Sequence, residues 1–235
     1  MVCGESGSAL ITGGGISGLS LASMLVESGW KVTVLEKCGR LGGRASSYFD
    51  RRTGELVDNG QHALIGGYVN TLEFLKRIGS ADRLEFTEPF EIGFFDGNAD
   101  RHVLKFPAIP APLNLLAGLL KYTAMSFGDR LGAFASGVRM RRLGASIMED
   151  ITVKTMMDIL GQSEKSRKNF WDMLSVAALN ELPERASAKM LRKVVEQMFL
   201  VKKEYMRLAL PRNSMHDLYV GSSKEYIEMN GGRIR

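Results

Sequence analysis

A short apolar run that stops at a cluster of glycines is the sequence feature that most constrains the fold. Residues 9–12 form the run, and residues 13–18 read G-G-G-I-S-G, which is a G-x-G-x-x-G motif. Apolar residues follow at helical spacing up to Gly29, and residues 31–35 form a second strand-like run that ends at Glu36. A strand, a glycine-rich turn, a helix and a second strand in this order predict a βαβ unit that binds a dinucleotide.

Each glycine of the motif has a physical task in that prediction. Gly13 allows the tight turn out of the strand, Gly15 lets the backbone approach a pyrophosphate, and Gly18 lets the helix pack closely on the strand. The helix N-terminus, which includes Ser17, offers N–H groups and a partial positive charge to the phosphates. Glu36 stands where a carboxylate accepts hydrogen bonds from ribose hydroxyls, and it would repel a 2′-phosphate. The alternative interpretation is an ordinary tight turn.

A second glycine pair favours FAD over NAD as the expected dinucleotide. Residues 40–44 read R-L-G-G-R, directly after the expected ribose carboxylate. Gly42 and Gly43 would let the chain pass close to the cofactor, and Arg44 would reach a phosphate or stabilise the negative charge of a reduced flavin. Together with the first motif, this segment resembles the flavin-containing amine oxidase and carotenoid/squalene desaturase superfamily. The resemblance implies FAD as the cofactor, and an ordinary loop is the alternative for the glycine pair.

The segment D-N-G-Q-H at residues 58–62 contains the candidates for chemistry near the flavin. Its Asn-Gly pair indicates a turn. The resemblance implies that the segment runs beside the flavin ring, which adds Gly60 and Gln61 to the cofactor-binding residues. Asp58 and His62 are the candidates for a catalytic acid. A solvent-exposed turn with an ordinary, hydrogen-bonded histidine is the alternative for these side chains.

Several later segments occur in a recognisable order, namely residues 58–62, 110–113, 170–171, 178–180, 186–188 and 210–212. They narrow the resemblance to the squalene-associated FAD-dependent desaturases, also called hydroxysqualene dehydroxylases. The reaction this implies is reductive removal of the hydroxyl of hydroxysqualene, which gives squalene for hopanoid synthesis. Hydride delivery to an allylic carbon and an acid for the leaving oxygen would be required. The implied substrate is an isoprenoid lipid.

The fold class expected from these features is α/β, with an FAD-binding Rossmann-like domain and a largely helical substrate domain. Residues 1–88 are assigned to the FAD-binding segment, 89–220 to the substrate segment, and 221–235 to the start of a return to the FAD domain. Because members of the superfamily are considerably longer, the C-terminal part of the FAD domain is expected to be missing. Two alternatives follow: a non-catalytic fragment that needs a second chain to complete its sheet, and a carotenoid desaturase or amine oxidase with another substrate.

Composition and charge limit the remaining function classes. The 235 residues are 45% hydrophobic and 24% charged, as in an ordinary globular protein. Cys3 and Cys38 form no CxxC pair and suit a reducing, cytoplasmic compartment, and the three histidines are far apart, so no metal site is expected. The net charge is +5 and the pI is about 9.2. Because no nucleic-acid recognition motif accompanies these basic residues, nucleic acid is not an expected partner.

The pattern beyond the first unit predicts a hairpin and a series of helices. Strands are expected at residues 90–95 and 102–106, and helices at residues 129–143, 153–160 and 186–201. Residues 113–120 are strongly apolar, which fits either a core helix or a helix that lines a lipid tunnel or dips into a membrane face. A peripheral contact with an anionic inner membrane surface is therefore retained as an expectation. A last helix is expected to begin at Ser222 or Ser223.

Overall fold

The structure is a computed structural model that describes residues 7–60, 62–87, 90–95, 100–143 and 151–235. Its contacts divide the chain into two compact units: unit 1 is Met1–Phe86 with Leu208–Arg235, and unit 2 is Thr87–Arg207. The mixture of helices and strands confirms the predicted α/β class. Residues 208–220 group with unit 1, whereas the sequence had assigned them to the substrate segment. The functional roles of the segments stay a prediction.

Unit 1 contains strands and helices from both ends of the chain. Its elements in chain order are β1 (Ser8–Thr12), α1 (Ile16–Glu27), β2 (Lys31–Leu35), β3 (Ser47–Asp50), β4 (Glu55–Asp58), β5 (Leu64–Ile65), α2 (Val69–Arg77), a 3-10 turn (Ala81–Arg83), β6 (Leu84–Thr87), β9 (Leu208–Pro211), a π-helical segment (His216–Val220), α9 (Gly221–Met229) and β10 (Arg233–Ile234).

The parallel sheet of unit 1 has the order β1-β2-β10. The β1 and β2 strands run side by side with Ser8 opposite Lys31, and β10 pairs with the other edge of β2. Alternate side chains of β2, Val32 and Val34, are buried in the core that also contains residues of α1. The opposite face of the sheet is exposed, and Leu10 on β1 keeps 66% of its surface accessible.

The other strands of unit 1 form a hairpin and a small sheet. The antiparallel β3–β4 hairpin places Ser47 opposite Asp58. The second sheet has the order β5-β9-β6, so β9 returns the chain to unit 1 between two earlier strands.

The last helical stretch begins earlier than the sequence predicts. We expected an N-terminal cap at Ser222 or Ser223, but both are buried within the helical stretch that begins at His216. The amide of Asp217 instead donates to Ser214 Oγ at 3.2 Å, one turn upstream. Serine predicts a helix start only where its hydroxyl can reach an unpaired amide, and here an earlier serine does so.

Unit 2 combines one hairpin with a set of helices. Its elements are β7 (Phe90–Phe95), β8 (Arg101–Phe106), α3 (Leu113–Lys121), α4 (Phe127–Arg139), a 3-10 turn (Met140–Arg142), α5 (Val153–Ile159), α6 (Glu164–Ser166), a π-helical segment (Arg167–Trp171), α7 (Asp172–Leu179), α8 (Ala188–Phe199) and a 3-10 turn (Lys203–Met206).

The apolar segment at residues 113–120 is a core helix for most of its length. Leu115 and Leu119 on α3 are almost fully buried, whereas Leu113 at its start keeps 57% of its surface exposed. Gly118 brings α3 against β8, since a Cβ there would lie 2.3 Å from the Phe106 ring. Among the described residues, no helix has the length and apolar character needed to cross a membrane.

Candidate cofactor site

The first glycine turn connects β1 to α1 through a tightly packed backbone. Gly13 has φ +100°, a conformation that favours glycine, and its amide donates to the Leu35 carbonyl at 2.7 Å. A Cβ on Gly18 would lie 2.0 Å from the Gly13 carbonyl oxygen, so the helix can approach the turn this closely only without a side chain there. The turn therefore delivers the start of α1 to the carboxyl end of β1.

The N-terminus of α1 faces open space. Gly15 is its N-cap residue, and no side chain caps the helix. A Cβ added to Gly15 would meet no heavy atom within 4 Å, and Ser17 in the first turn is exposed. The amides of a first helical turn lack partners within the helix and carry the positive end of the helix dipole. This end of α1 can accept an anionic group close to the backbone.

The second glycine turn lies directly against the first. Gly42 and Gly43 have φ +105° and +60°, and the amide of Gly42 donates to the Gly14 carbonyl at 2.8 Å. A Cβ on Gly43 would stand 3.5 Å from Gly15 Cα. The backbones of the two turns thus lie side by side. As a result, residues 36–44 lie next to the N-terminus of α1.

The Glu36 carboxylate connects the first turn to the segment that leads into the second turn. Its Oε2 accepts the amide of Gly14 at 2.7 Å, and its Oε1 accepts the amide of Cys38 at 2.9 Å. These hydrogen bonds, the one from Cys38 first and the one from Gly14 second, lower the pKa of Glu36 below its usual 4.5. A carboxylate oxygen has more than one acceptor position, so Glu36 can also accept hydrogen bonds from ribose hydroxyls.

The residues after the second turn provide a cation and a buried hydroxyl. Arg44 is exposed, and its carbonyl oxygen accepts a hydrogen bond from Nδ2 of Asn59 at 3.2 Å. Ser46 is 2% exposed, and its Oγ has no hydrogen-bond partner among the residues that the structure describes. A buried hydroxyl of this kind is usually satisfied by a water or a ligand atom. Together with the two glycine turns, these groups fit a dinucleotide.

Asp58 and His62 have different hydrogen-bonding roles. Asp58 Oδ1 accepts the hydroxyl of Ser47 at 2.6 Å and the amide of Met215 at 2.9 Å, so this carboxylate ties the β3–β4 hairpin to the returning chain. His62 Nδ1 lies 2.7 Å from the carbonyl oxygen of Gly60, which has φ +108°. A carbonyl only accepts, so we assign a proton to Nδ1, and Nε2 takes no part in this hydrogen bond. Gln61 lies outside the described residues.

Two further residues belong to this arrangement and were missed in the sequence. A Cβ on Gly14 would lie 2.4 Å from Leu41 Cδ2, so a larger residue at this middle position of the motif would require the Leu41 side chain to move. The hydroxyl of Tyr219, far away in sequence, contacts the carbonyls of Gly42 and Ala45 at 2.7 and 2.6 Å. The three consecutive glycines were a signal for Gly14, whereas no local pattern marks Tyr219.

Unit 2 contains a cavity of about 980 Å³ that the sequence analysis did not identify. Its volume lies at the upper end of the usual range for small-molecule sites. Residues of the hairpin, of the chain after α3 and of the helical stretch from Ser163 line it, with Phe94, Phe95, Tyr122 and Met173 among the apolar residues and Lys165 and Lys168 among the charged ones. Among the described residues, no three potential metal ligands lie close together.

Comparison with known proteins gives a family and several relatives. The sequence profile described as "Flavin containing amine oxidoreductase" matches residues 16–223. A hydroxysqualene dehydroxylase of Rhodopseudomonas palustris is 32% identical over 226 residues, which are 96% of this chain and 51% of that protein. A 15-cis-phytoene desaturase of Capsicum annuum is 27% identical over 96% of this chain and 40% of its own length. The chain therefore spans about half the length of the relatives it matches.

Solved structures share the fold. An oxidoreductase from Methanosarcina mazei superposes with a TM-score of 0.69 at 16% identity, over 97% of this chain and 50% of that one. A putrescine oxidase superposes with a TM-score of 0.59 at 16% identity, over 97% and 50%.

The hydrogen bonds to Glu36 predict how its carboxyl group titrates. Because its pKa in the folded protein lies below 4.5, its contribution to stability is present above that pH and is lost as the pH falls through the folded value. An NMR titration should place the midpoint of the Glu36 carboxyl below 4.5, with the amide signals of Gly14 and Cys38 moving at the same midpoint. A Glu36→Gln variant should abolish these amide shifts. A midpoint at or above 4.5 would contradict the assignment.

Proposed function

Because the chain belongs to the flavin-containing amine oxidoreductase family and its cofactor is FAD, we propose that the two glycine turns and Glu36 hold this FAD. The observation that carries the proposal is the contact between the turns. Gly42 N–H donates to the Gly14 carbonyl at 2.8 Å, and a Cβ on Gly43 would stand only 3.5 Å from Gly15 Cα. Around this contact lie the N-terminus of α1, the Glu36 carboxylate and the backbone of Arg44, which we take to be the groups that bind the dinucleotide.

Each group has a chemical counterpart in FAD. The N-terminus of α1, with Gly13, Gly15, Ser17 and Gly18, would take the pyrophosphate, since backbone amides and the helix dipole both favour an anion there. Glu36 would accept hydrogen bonds from the adenosine ribose.

The second turn and the segment after β4 would hold the rest of the cofactor. Gly42, Gly43 and Arg44 would lie beside the phosphates or the flavin, and Gly60 would lie beside the isoalloxazine. The arginine would be available to balance negative charge on a reduced flavin.

The reaction we propose is the reductive dehydroxylation of hydroxysqualene to squalene. It is supported by the similarity to the Rhodopseudomonas palustris enzyme over 96% of this chain. When bound, reduced FAD would supply the hydride that replaces the hydroxyl at the allylic carbon, with oxidised FAD and, after protonation of the leaving hydroxyl, water as the other products. The chain itself must orient the cofactor, exclude water and supply that proton.

His62 is the better of the two candidates for the proton donor. Its Nδ1 is engaged by the Gly60 carbonyl, so Nε2 of the protonated ring has a proton to donate. Asp58 accepts two hydrogen bonds at one carboxylate oxygen, which suits a charged group that anchors the chain and not a proton donor. We therefore assign proton transfer to His62 and positioning to Asp58.

Unit 2 would bind the isoprenoid substrate in the cavity of about 980 Å³. Phe94, Phe95 and Met173 offer a lipid apolar contact. Of the expected partners, a membrane surface stays a prediction. So does a second chain that completes the sheet of unit 1, although exposed Leu10 on β1 leaves an apolar surface for such a chain.

Desaturation of a carotenoid precursor is the second candidate function. The similarity to the 15-cis-phytoene desaturase of Capsicum annuum covers the same 96% of the chain. The two reactions differ in the direction of electron flow, because desaturation removes a hydride from the substrate and dehydroxylation adds one. Incubation with phytoene and oxidised FAD, or with hydroxysqualene and reduced FAD, distinguishes them by which substrate is consumed.

FAD retention tests the cofactor site. Gly15 is an N-cap with ordinary φ of −78° and open space around it, and Asp is a favoured N-cap residue, so Gly15→Asp should fold. Its carboxylate would repel the pyrophosphate. After incubation with FAD and desalting, the parent should retain the visible flavin bands and the variant should lose them. Gly128→Asp, which adds the same charge at an open position on α4 of unit 2, should retain FAD as the parent does. Equal retention by all three proteins would contradict the site.

Turnover tests the assignment of His62. With reduced FAD and hydroxysqualene under anaerobic conditions, His62→Gln should form squalene about 10²- to 10⁴-fold more slowly than the parent, because general acid catalysis contributes about that factor. Its FAD retention should be unchanged. His216→Gln, in which an exposed histidine of the same unit is changed, is the control and should match the parent. No squalene from the FAD-loaded parent would overturn the reaction, and full activity of His62→Gln would overturn the role.

A further inference from the structure

We propose that Tyr219 is a positioning residue of the cofactor site, because its hydroxyl holds the second glycine turn in place against the first. The proposal rests on the proposed function, since it takes the turns to be the FAD site. Tyr219 is fully buried in the π-helical segment that precedes α9. Its hydroxyl oxygen lies 2.7 Å from the Gly42 carbonyl oxygen and 2.6 Å from the Ala45 carbonyl oxygen.

The two contacts act on opposite ends of one turn. A phenol has a single proton, so Tyr219 donates it to one carbonyl at a time and draws both carbonyls towards one point. Gly42 also donates its amide to the Gly14 carbonyl at 2.8 Å, so the residue that Tyr219 holds is the one that contacts the first turn. Gly43 and Arg44, which we assign to FAD, lie between the two anchored carbonyls.

The surroundings fix the phenol in a single arrangement. The Phe74 ring packs edge-on against the Tyr219 ring, with 6.4 Å between the centroids. A Cβ on Gly42 would lie 3.1 Å from Val220, so the turn rests directly on the residue that follows Tyr219. Burial raises the pKa of Tyr219 to about 12, and the hydroxyl therefore keeps its proton throughout the neutral range.

The returning chain therefore contributes to the site through Tyr219, which positions the second glycine turn and need not contact the cofactor itself. The N-terminal motifs supply the groups that would bind FAD, and residues 208–235 supply the hydrogen bonds that set their position. In the absence of the hydroxyl, the Gly42 and Ala45 carbonyls lose their common donor, and the turn gains freedom to move away from α1. The expected consequence is weaker binding of FAD by a protein that is still folded.

The test compares Tyr219→Phe with two controls. Tyr226→Phe removes the hydroxyl of another tyrosine, which lies on α9 and packs against the same core. Leu218→Ala creates a cavity at a buried neighbour and lowers global stability without removing the hydroxyl. We expect Tyr219→Phe to bind FAD about tenfold more weakly than the parent. The two controls, measured under conditions in which urea unfolding shows them to be folded, should bind FAD as the parent does.

Hydrogen exchange gives a readout that does not depend on flavin. In the protein without FAD, Tyr219→Phe should exchange the amides of residues 42–46 faster than the parent, while exchange in α1 and β2 stays the same. A parent that binds no FAD would overturn the proposed function. Equal exchange at residues 42–46 in the parent and Tyr219→Phe would overturn the role of Tyr219, whether or not FAD binds. So would a Leu218→Ala variant that loses FAD as strongly as Tyr219→Phe, because general loosening would then explain the effect.

Discussion

The absence of side chains at the contact between the two glycine turns is the constraint on which the proposed cofactor site depends. The Gly42 amide reaches the Gly14 carbonyl at 2.8 Å, and a Cβ on Gly14 or on Gly42 would lie within 3 Å of neighbouring side-chain atoms. A contact this close leaves no room for larger residues. It also brings the first turn of α1, the Glu36 carboxylate and Arg44 to one place, although they lie on separate elements.

Hydrogen bonds over long sequence distances hold this arrangement. Asp58 accepts the amide of Met215, and Tyr219 donates to the turn at Gly42, so the chain that returns after unit 2 is connected to both the β3–β4 hairpin and the glycine turns. The β10 strand adds a third connection by pairing with β2. Unit 1 is therefore a composite of the two ends of the chain. In the site we propose, the N-terminal motifs supply the groups that bind FAD, and the C-terminal segment positions them.

Sequence patterns predict the parts of this fold that depend on residues close together in the chain. The limits of β2 and the end of α1 near Gly29 follow from apolar periodicity and from a glycine at positive φ. The β3–β4 hairpin and the role of Tyr219 were not predicted, because each depends on partners that are distant in the chain. Asp58 shows the same limit of prediction from sequence. The D-N-G-Q-H segment makes it a candidate catalytic acid, but only its hydrogen bond from the Met215 amide shows that it holds the returning chain.

The most direct test of the central claim is an NMR titration of the isotope-labelled chain with FAD, followed through its backbone amide signals. Saturation with FAD should shift the amide signals of residues 13–18, of Glu36 and of residues 42–44 together, with one common dissociation constant. Shifts confined to residues 87–207, or no shifts at Gly15 and Gly43 at saturating FAD, would contradict the claim that the two glycine turns form the FAD site.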